Sequence, residues 1–323
     1  MFGRQVDVVF IKDDGEALVV VDHRKHPNTY ICSGDFNRYS GTECDKLTIS
    51  IYNLAANIRG DIALGKYTTL IVQYGYKDEG DTLGDLFVGN IQRMIWQRRD
   101  AVTNELKLWV YDTGNFKSSQ FFAGSYSRGV NYYAIAEEIG RNAKKSGNVD
   151  DIRLSEKLKE YAVYNSKTFF GSADSAMQTV AQDTGMVYKK TSNSLLILTP
   201  EEIANQTGTI VFSQFNEISG KVESRSGMIN IPQLTDTGLE LDCLINTKIQ
   251  IYNLLQINNS IVSIAQEGAI QESEYGAILD PDGLYVITAI SGRFSNDGQQ
   301  NSMHITSVAR SVFVSMYKMN GES

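Results

Sequence analysis

The sequence predicts a mainly β protein with one α+β insert, its β part built twice. Three observations carry this. Strand-like alternation of apolar and polar residues dominates both ends of the chain. Helical spacing appears only between about 116 and 200. Four strand-like segments near the N-terminus recur in order near the C-terminus. The expected division is 1–115, 116–200 and 201–323, with linking strands in 207–235.

The first region opens with VDVVFI, Val6 to Ile11, rich in β-branched residues. Asp13-Asp14-Gly15 signals a turn, and EALVVVD is the partner strand. From His23 to Cys44 the chain reads as a long irregular loop, with Pro27 and two Ser-Gly turns. KLTISIYNL is a half-buried strand: Leu47, Ile49 and Ile51 alternate with Thr48, Ser50 and Tyr52. A polar connector leads to TTLIVQYGY, and KDEGDTLGD is a polar turn. LFVGNIQRMIWQR follows, with Gly89 expected as a bulge or bend, and ELKLWVYD closes the block.

The period then changes. Tyr132, Ile135, Ala136, Ile139 and Ala143 line one face of a helix, with Glu137 and Glu138 early, Lys144 and Lys145 late, and Gly147 beyond. A second helix starts at the N-cap Ser172, carries Ala173, Ala176, Met177, Val180 and Ala181, and ends at Gly185. MVYKKTSNSLLILTP reads as a hairpin turning at Ser192-Asn193. From Thr207 strands return: TGTIVFSQF, KVESRSGMINIP, GLELDCLI, TKIQIYNLLQI, DGLYVITAISGRF and SMHITSVARSVFVSMY.

The tetrapeptide IYNL occurs at Ile51–Leu54 and at Ile251–Leu254, but aligning the copies leaves the second block one strand short. A shifted register repairs this. KLTISIYNL matches GLELDCLIN, KYTTLIVQYGY matches TKIQIYNLLQI, DLFVGNIQRMIWQRRD matches DGLYVITAISGRFSND, and NELKLWVYD matches NSMHITSVA. IYNL is then coincidence and the four-strand unit is the repeat. The alternative is two antiparallel units that share only the grammar of strands.

Composition narrows function. The 323 residues carry a net charge of −8, and no basic run exceeds a pair such as Arg98-Arg99, which argues against a protein built to grip DNA. No stretch is apolar enough to span a membrane, and the N-terminus does not read as a signal peptide. Cys32, Cys44 and Cys243 form no CxxC pair and read as reduced thiols rather than disulfides or a zinc site. His23 and His26 flank a basic loop beside Asp22 without a third ligand, and His304 stands alone on a strand. Asp78, Glu79, Asp81 and Asp85 lack the spacing of a calcium loop. The pairs Glu137-Glu138 and Glu201-Glu202 are adjacent and do not face each other across a substrate. No catalytic motif is present, so no enzyme, metal or cofactor is expected. Tyrosine is abundant, 17 residues, and suits amphipathic contact surfaces. Tyr74, Tyr76, Phe87, Tyr252, Tyr285 and Phe294 are the expected interface residues. A carbohydrate-binding or adhesin module, or a tail-associated cell-wall hydrolase, is the competing reading.

The second β block resembles the C-terminal part of central baseplate hub proteins of contractile-tailed bacteriophages. The resemblance rests on Gly238 to Asn246, Gly283 to Ile287 and the SNDG turn at Ser295 to Gly298. In the first block ISIYNL, VQYGY and GDLFVGNI are similar to that family's N-terminal module. Thr247 stands where the family carries proline. The resemblance implies two tail-tube-like antiparallel β-barrel modules per chain. It implies a homotrimer forming a pseudo-sixfold ring that joins the tail tube to a trimeric spike in the virion. Further implied partners are a tube-initiator, the tape measure protein and baseplate wedge proteins, with assembly in the host cytoplasm. DNA would pass through the lumen without specific binding. The insert is expected outside the ring, and the long polar segment from His23 to Cys44 is expected, from its length and polarity, to reach a neighbour or the tube.

Overall fold

A computed structural model of the chain describes residues 3–25, 28–77, 83–112, 120–145, 149, 151–190, 194–206, 209–212, 227–262, 279–298 and 301–321. Thirteen strands form one sheet. The first region contributes β1 (Arg4–Ile11), β2 (Ala17–Val21), β3 (Cys32–Tyr39), β4 (Lys46–Tyr52), β5 (Thr69–Tyr76), β6 (Gly84–Arg98) and β7 (Asn104–Tyr111). A helix, α1 (Ala56–Ala63), sits in what the sequence presents as a polar connector. The last region contributes β13 (Ile210–Phe212), β14 (Gln233–Leu234), β15 (Gly238–Cys243), β16 (Leu254–Ile257), β17 (Leu284–Ser295) and β18 (Ser302–Ala309).

The repeat is present strand for strand. The first unit runs β4-β7-β6-β5 in space and the second runs β15-β18-β17-β16. Lys46 faces Tyr111 as Gly238 faces Val308, so the strands that come first and last in each unit along the chain keep the sequence register. Each unit also carries a bulge at the same step. Gln92 is skipped between Ile91 and Arg93, and Thr288 is skipped between Ile287 and Ala289. This fixes the second and third strands of each unit: Asn90 is equivalent to Val286 and Thr69 to Leu254. The sequence register had Asn90 opposite Ile287 and Thr69 opposite Gln250. It is one residue off in the third strand and four in the second, because TKIQIY is not strand. Its first six residues form turns, with Tyr252 at φ 69°, and pairing begins only at Leu254. The two IYNL copies thus fall at non-equivalent places, the end of β4 and the start of β16.

Several expectations are corrected. The 23–44 segment is not an irregular loop, since β3 lies within it and joins the two units, pairing with β4 on one side and β17 on the other. Gly89 is not the bulge. A Cβ there would lie 2.6 Å from the Tyr111 carbonyl oxygen, so its role is close strand approach. The strand expected through Tyr317 ends at Ala309, and α5 (Arg310–Gly321) follows. Phe313, 2% exposed, packs against Tyr252 and Tyr317 and draws this segment into a helix despite its β-branched residues. The tip of KDEGDTLGD, Gly147, the Ser192-Asn193 turn and most of KVESRSG lie outside the described residues.

The insert has its own core. β8 (Phe121–Tyr126) pairs with β10 (Lys167–Ser172), and β11 (Val187–Lys190) pairs with β12 (Ser194–Leu198), which runs parallel to β9 (Asp151–Leu154). The helices α2 (Tyr132–Lys145) and α3 (Ala173–Thr184) bury the expected stripes. Ser172 caps α3 by accepting from the Ser175 N–H, and Gly185 follows at φ 65°. A short helix, α4 (Pro200–Ala204), carries a capping box between Thr199 and Glu202. The main core runs continuously from Val6 to Ala309 through both β units.

Candidate functional site

The sheet positions two kinds of feature: a polar face that spans both units, and the strand edges. Along β15, β18, β17, β3, β4 and β7, buried residues alternate with exposed or half-buried ones. Asp242, His304, Ser291, Asn37, Thr48 and Trp109 lie on the side away from the core, so one polar surface crosses the β17–β3 joint without a break. His304 Nδ1 meets Asp242 Oδ1 at 2.9 Å, and Arg293 bonds Asp35 across the joint at 2.7 Å. The Arg93 and Lys107 cations both stand over the Trp109 ring, 4.9 and 5.4 Å from its centroid.

The β17–β3 joint is closely packed. A Cβ at Gly292 would lie 2.5 Å from the Phe36 ring, and one at Gly34 would lie 2.6 Å from the Phe294 ring. Two glycines are therefore required where two fully buried phenylalanines cross the joint.

The insert is tied to the β region by buried charge. Lys189 on β11, 3% exposed, donates to Asp45 Oδ1 at 2.7 Å, to the Tyr39 carbonyl at 2.7 Å and to the Glu43 carbonyl at 3.2 Å. Asp112 accepts from the Asp45 N–H at 3.1 Å. Burial, and then the neighbouring Asp45 charge, push the Asp112 carboxyl up to about 7, while Lys189 and Lys190 pull it the other way. A cavity of about 290 Å³ opens here, lined by Arg38, Asp45, Asp112, Lys189 and Tyr252, where all three regions meet.

Of the six expected interface residues, Tyr74, Phe87, Tyr252, Tyr285 and Phe294 are at most 3% exposed within one chain. The three tyrosine hydroxyls among them have partners within the chain. Tyr285 donates to Asn259 Oδ1 at 2.8 Å, and Tyr252 accepts from the Gly41 N–H at 2.8 Å. The Tyr74 hydroxyl accepts from Asn301 Nδ2 at 3.2 Å. Tyr76 is half-buried, its ring 5.4 Å from that of Tyr74. Five of the six therefore pack inside the chain rather than on its surface. His23 Nδ1 bonds Asp7 Oδ1 at 2.8 Å, and with Asp22 it forms an acidic cluster in which Arg24 also bonds Asp22 at 3.1 Å. His26 lies outside the described residues, as do Asp78, Glu79 and Asp81. Glu138 accepts from the Tyr126 hydroxyl, and Glu202 accepts from Ser155 Oγ.

No family model matches the chain, and no curated protein does. Solved structures do match over nearly its full length. The 43 kDa tail protein of prophage MuSo2 from Shewanella oneidensis is 10% identical, covers 95% of this chain and 98% of its own, and superposes with a TM-score of 0.55. A tail protein from Neisseria meningitidis MC58 is 10% identical, with 97% and 98% covered and a TM-score of 0.56. A component of the Escherichia coli type VI secretion system, described as similar to the T4 tail proteins gp27 and gp5, is 7% identical, with 86% and 73% covered and a TM-score of 0.50. The chain therefore has the fold of phage tail proteins.

Proposed function

We propose that this chain is a structural component of a phage tail baseplate, a hub whose three copies form a pseudo-sixfold ring. The observation that carries the reading is the internal repeat: two β units of one order, first-to-last strand register and bulge position in a single chain. Three such chains present six similar units, which lets a threefold object meet a sixfold one. One face of the ring would join the tail tube or its initiator and the other a trimeric spike. The tape measure protein and wedge proteins are further partners on this reading.

The unbroken polar face suits the wall of a passage. Three chains of net charge −8 carry −24, which disfavours adhesion of a polyanion moving past. The regions 1–115 and 201–323 supply the two ring units, and 116–200 lies outside them. The fold likeness to tail proteins and to a secretion-system component supports the same role.

Negative-stain electron microscopy of the purified protein, with mass photometry on the same sample, tests the proposal. Rings of three chains with six lobes are expected. Monomers that stay monomeric alone and with a cognate spike protein would sink it.

A further inference from the structure

This inference rests on the ring reading and specifies one of its joints. The joint inside the chain is the template. The far half of β17 pairs with β3, from Ala289 with Tyr39 to Ser295 with Ser33. In the first unit the equivalent half of β6 has β7 on one side, while β5 reaches only Asn90. Among the described residues, no strand covers the other side of Met94–Arg98. In the second unit the equivalent of β3 is β14, which pairs with β15 and, among the described residues, stands at the end of the sheet.

Backbone direction agrees at both edges. Arg99 donates its N–H to Thr103 on the β7 strand side, so alternation turns the N–H and C=O groups of Met94, Trp96 and Arg98 outward. Thr235 donates to Gly238 at 3.0 Å, which turns the Leu234 groups away from β15. The template has the same phase. Ser40 donates to Thr288, and Asn296 donates to Cys32, so Gly292 and Phe36 meet as a hydrogen-bonded pair. Trp96 is the equivalent of Gly292, since each pairs inward with the matching residue, Leu106 or Met303. Leu234 is the equivalent of Phe36, pairing with Leu239 as Phe36 pairs with Leu47.

We propose that the free side of Met94–Arg98 pairs antiparallel with the free side of 232–234 in a second copy of this chain, Trp96 opposite Leu234 and Gln97 opposite Gln233. Side-chain chemistry fits. Trp96 and Leu234 are partly buried apolar residues at the rim of the main core, and pairing covers both. On the polar face the Arg293–Asp35 ion pair of the template becomes two amides, Gln97 and Gln233. Pro232 takes the place of Gly34 and has no N–H to donate, so this joint has one donor fewer than the internal one.

The test is a cysteine pair in the full chain, Gln97→Cys with Gln233→Cys, oxidised and read on non-reducing gels beside mass photometry. Both positions are exposed, whereas the native Cys32 and Cys243 are buried, and single variants control for Cys44. Disulfide-linked trimers are expected in at least tenfold excess over a pair shifted by one residue, Gln97→Cys with Leu234→Cys. A second test needs no thiol. Lysine at both Gln97 and Gln233 should lower the trimer fraction at least tenfold, and Gln97→Lys with Gln233→Glu should restore it. Trimers that form without the cross-link and ignore the charges overturn this joint and leave the ring reading standing. Chains that never associate overturn both.

Discussion

The two copies of the β unit differ in what they leave open. In the second copy the bent third strand, β17, is occupied along both halves, by β16 and then by β3. In the first copy β6 is occupied by β5 along one half only. The first copy joins β4 to β5 through α1, and the second joins β15 to β16 through a helix-free connection in which Tyr252 takes a φ of 69°. Order and bulge are common to both, and edge chemistry is not. The lesson is that the repeat fixes the path of the chain, while a few residues per edge decide which joints are made within one molecule.

Mutations at equivalent positions should break this comparison most sharply. Phe294→Ala removes a fully buried ring from the internal joint and should cost roughly 3–5 kcal/mol in urea unfolding. Arg98→Ala, its equivalent on the open edge, should change the stability of the isolated chain by less than about 0.5 kcal/mol. Equal losses would mean that the two joints are alike in the free subunit.

Lys189→Met should cost about 3–5 kcal/mol, because it leaves Asp45 charged and buried without its cation. The loss belongs to the seam with the insert, so the melting of the two regions should separate in calorimetry.

Acidity reads the same seam. The Asp112 carboxyl, ordinarily near 3.8, is raised to about 7 in the folded chain. The folded state therefore holds a proton that the unfolded state has released. That contribution to stability is fully present below about 4 and is lost as pH rises through about 7. Asp112→Asn keeps the oxygen that accepts from Asp45 and should flatten the fall in urea midpoint between pH 4 and 8. An unchanged slope in the variant would show that other groups carry the dependence.

A small effect is also expected at the exposed Arg293–Asp35 pair of the internal joint. Its side chains are 68% and 55% exposed, and Arg293→Ala should cost under about 1 kcal/mol. A larger loss would move weight from the glycine–phenylalanine packing to the ion pair.

Much of this was legible in the sequence. Alternation found β4, β6, β7, β15, β17 and β18, and helical spacing found α2 and α3 with its Ser172 cap and Gly185 stop. The repeat was legible because its first and last strands are free of insertions. What escaped was set by tertiary contact. Ser33-Gly34-Asp35 looks like a turn, yet Gly34 is a strand residue that makes room for Phe294. Its signal was present as Cys32, Gly34 and Phe36 buried on alternate positions. The helix α5 is hidden behind β-branched residues and selected by the burial of Phe313. Thr199-Pro200 with Glu202 was a readable helix start that went unused. The aromatic residues chosen for an interface were chosen by type, and type does not distinguish a tyrosine that closes a core from one that meets a partner.

The placement of β3 also has a consequence for synthesis. Arg293 and Asp35 are 258 residues apart, so a ribosome adding about 5–20 residues per second needs roughly 13–50 s to deliver the strand that covers β3. Through that interval the nascent chain carries a bare strand edge and an uncovered Phe36. Fragments ending before Leu284 should be poorly soluble for that reason, and their yield relative to the full chain measures how long the growing molecule must be shielded.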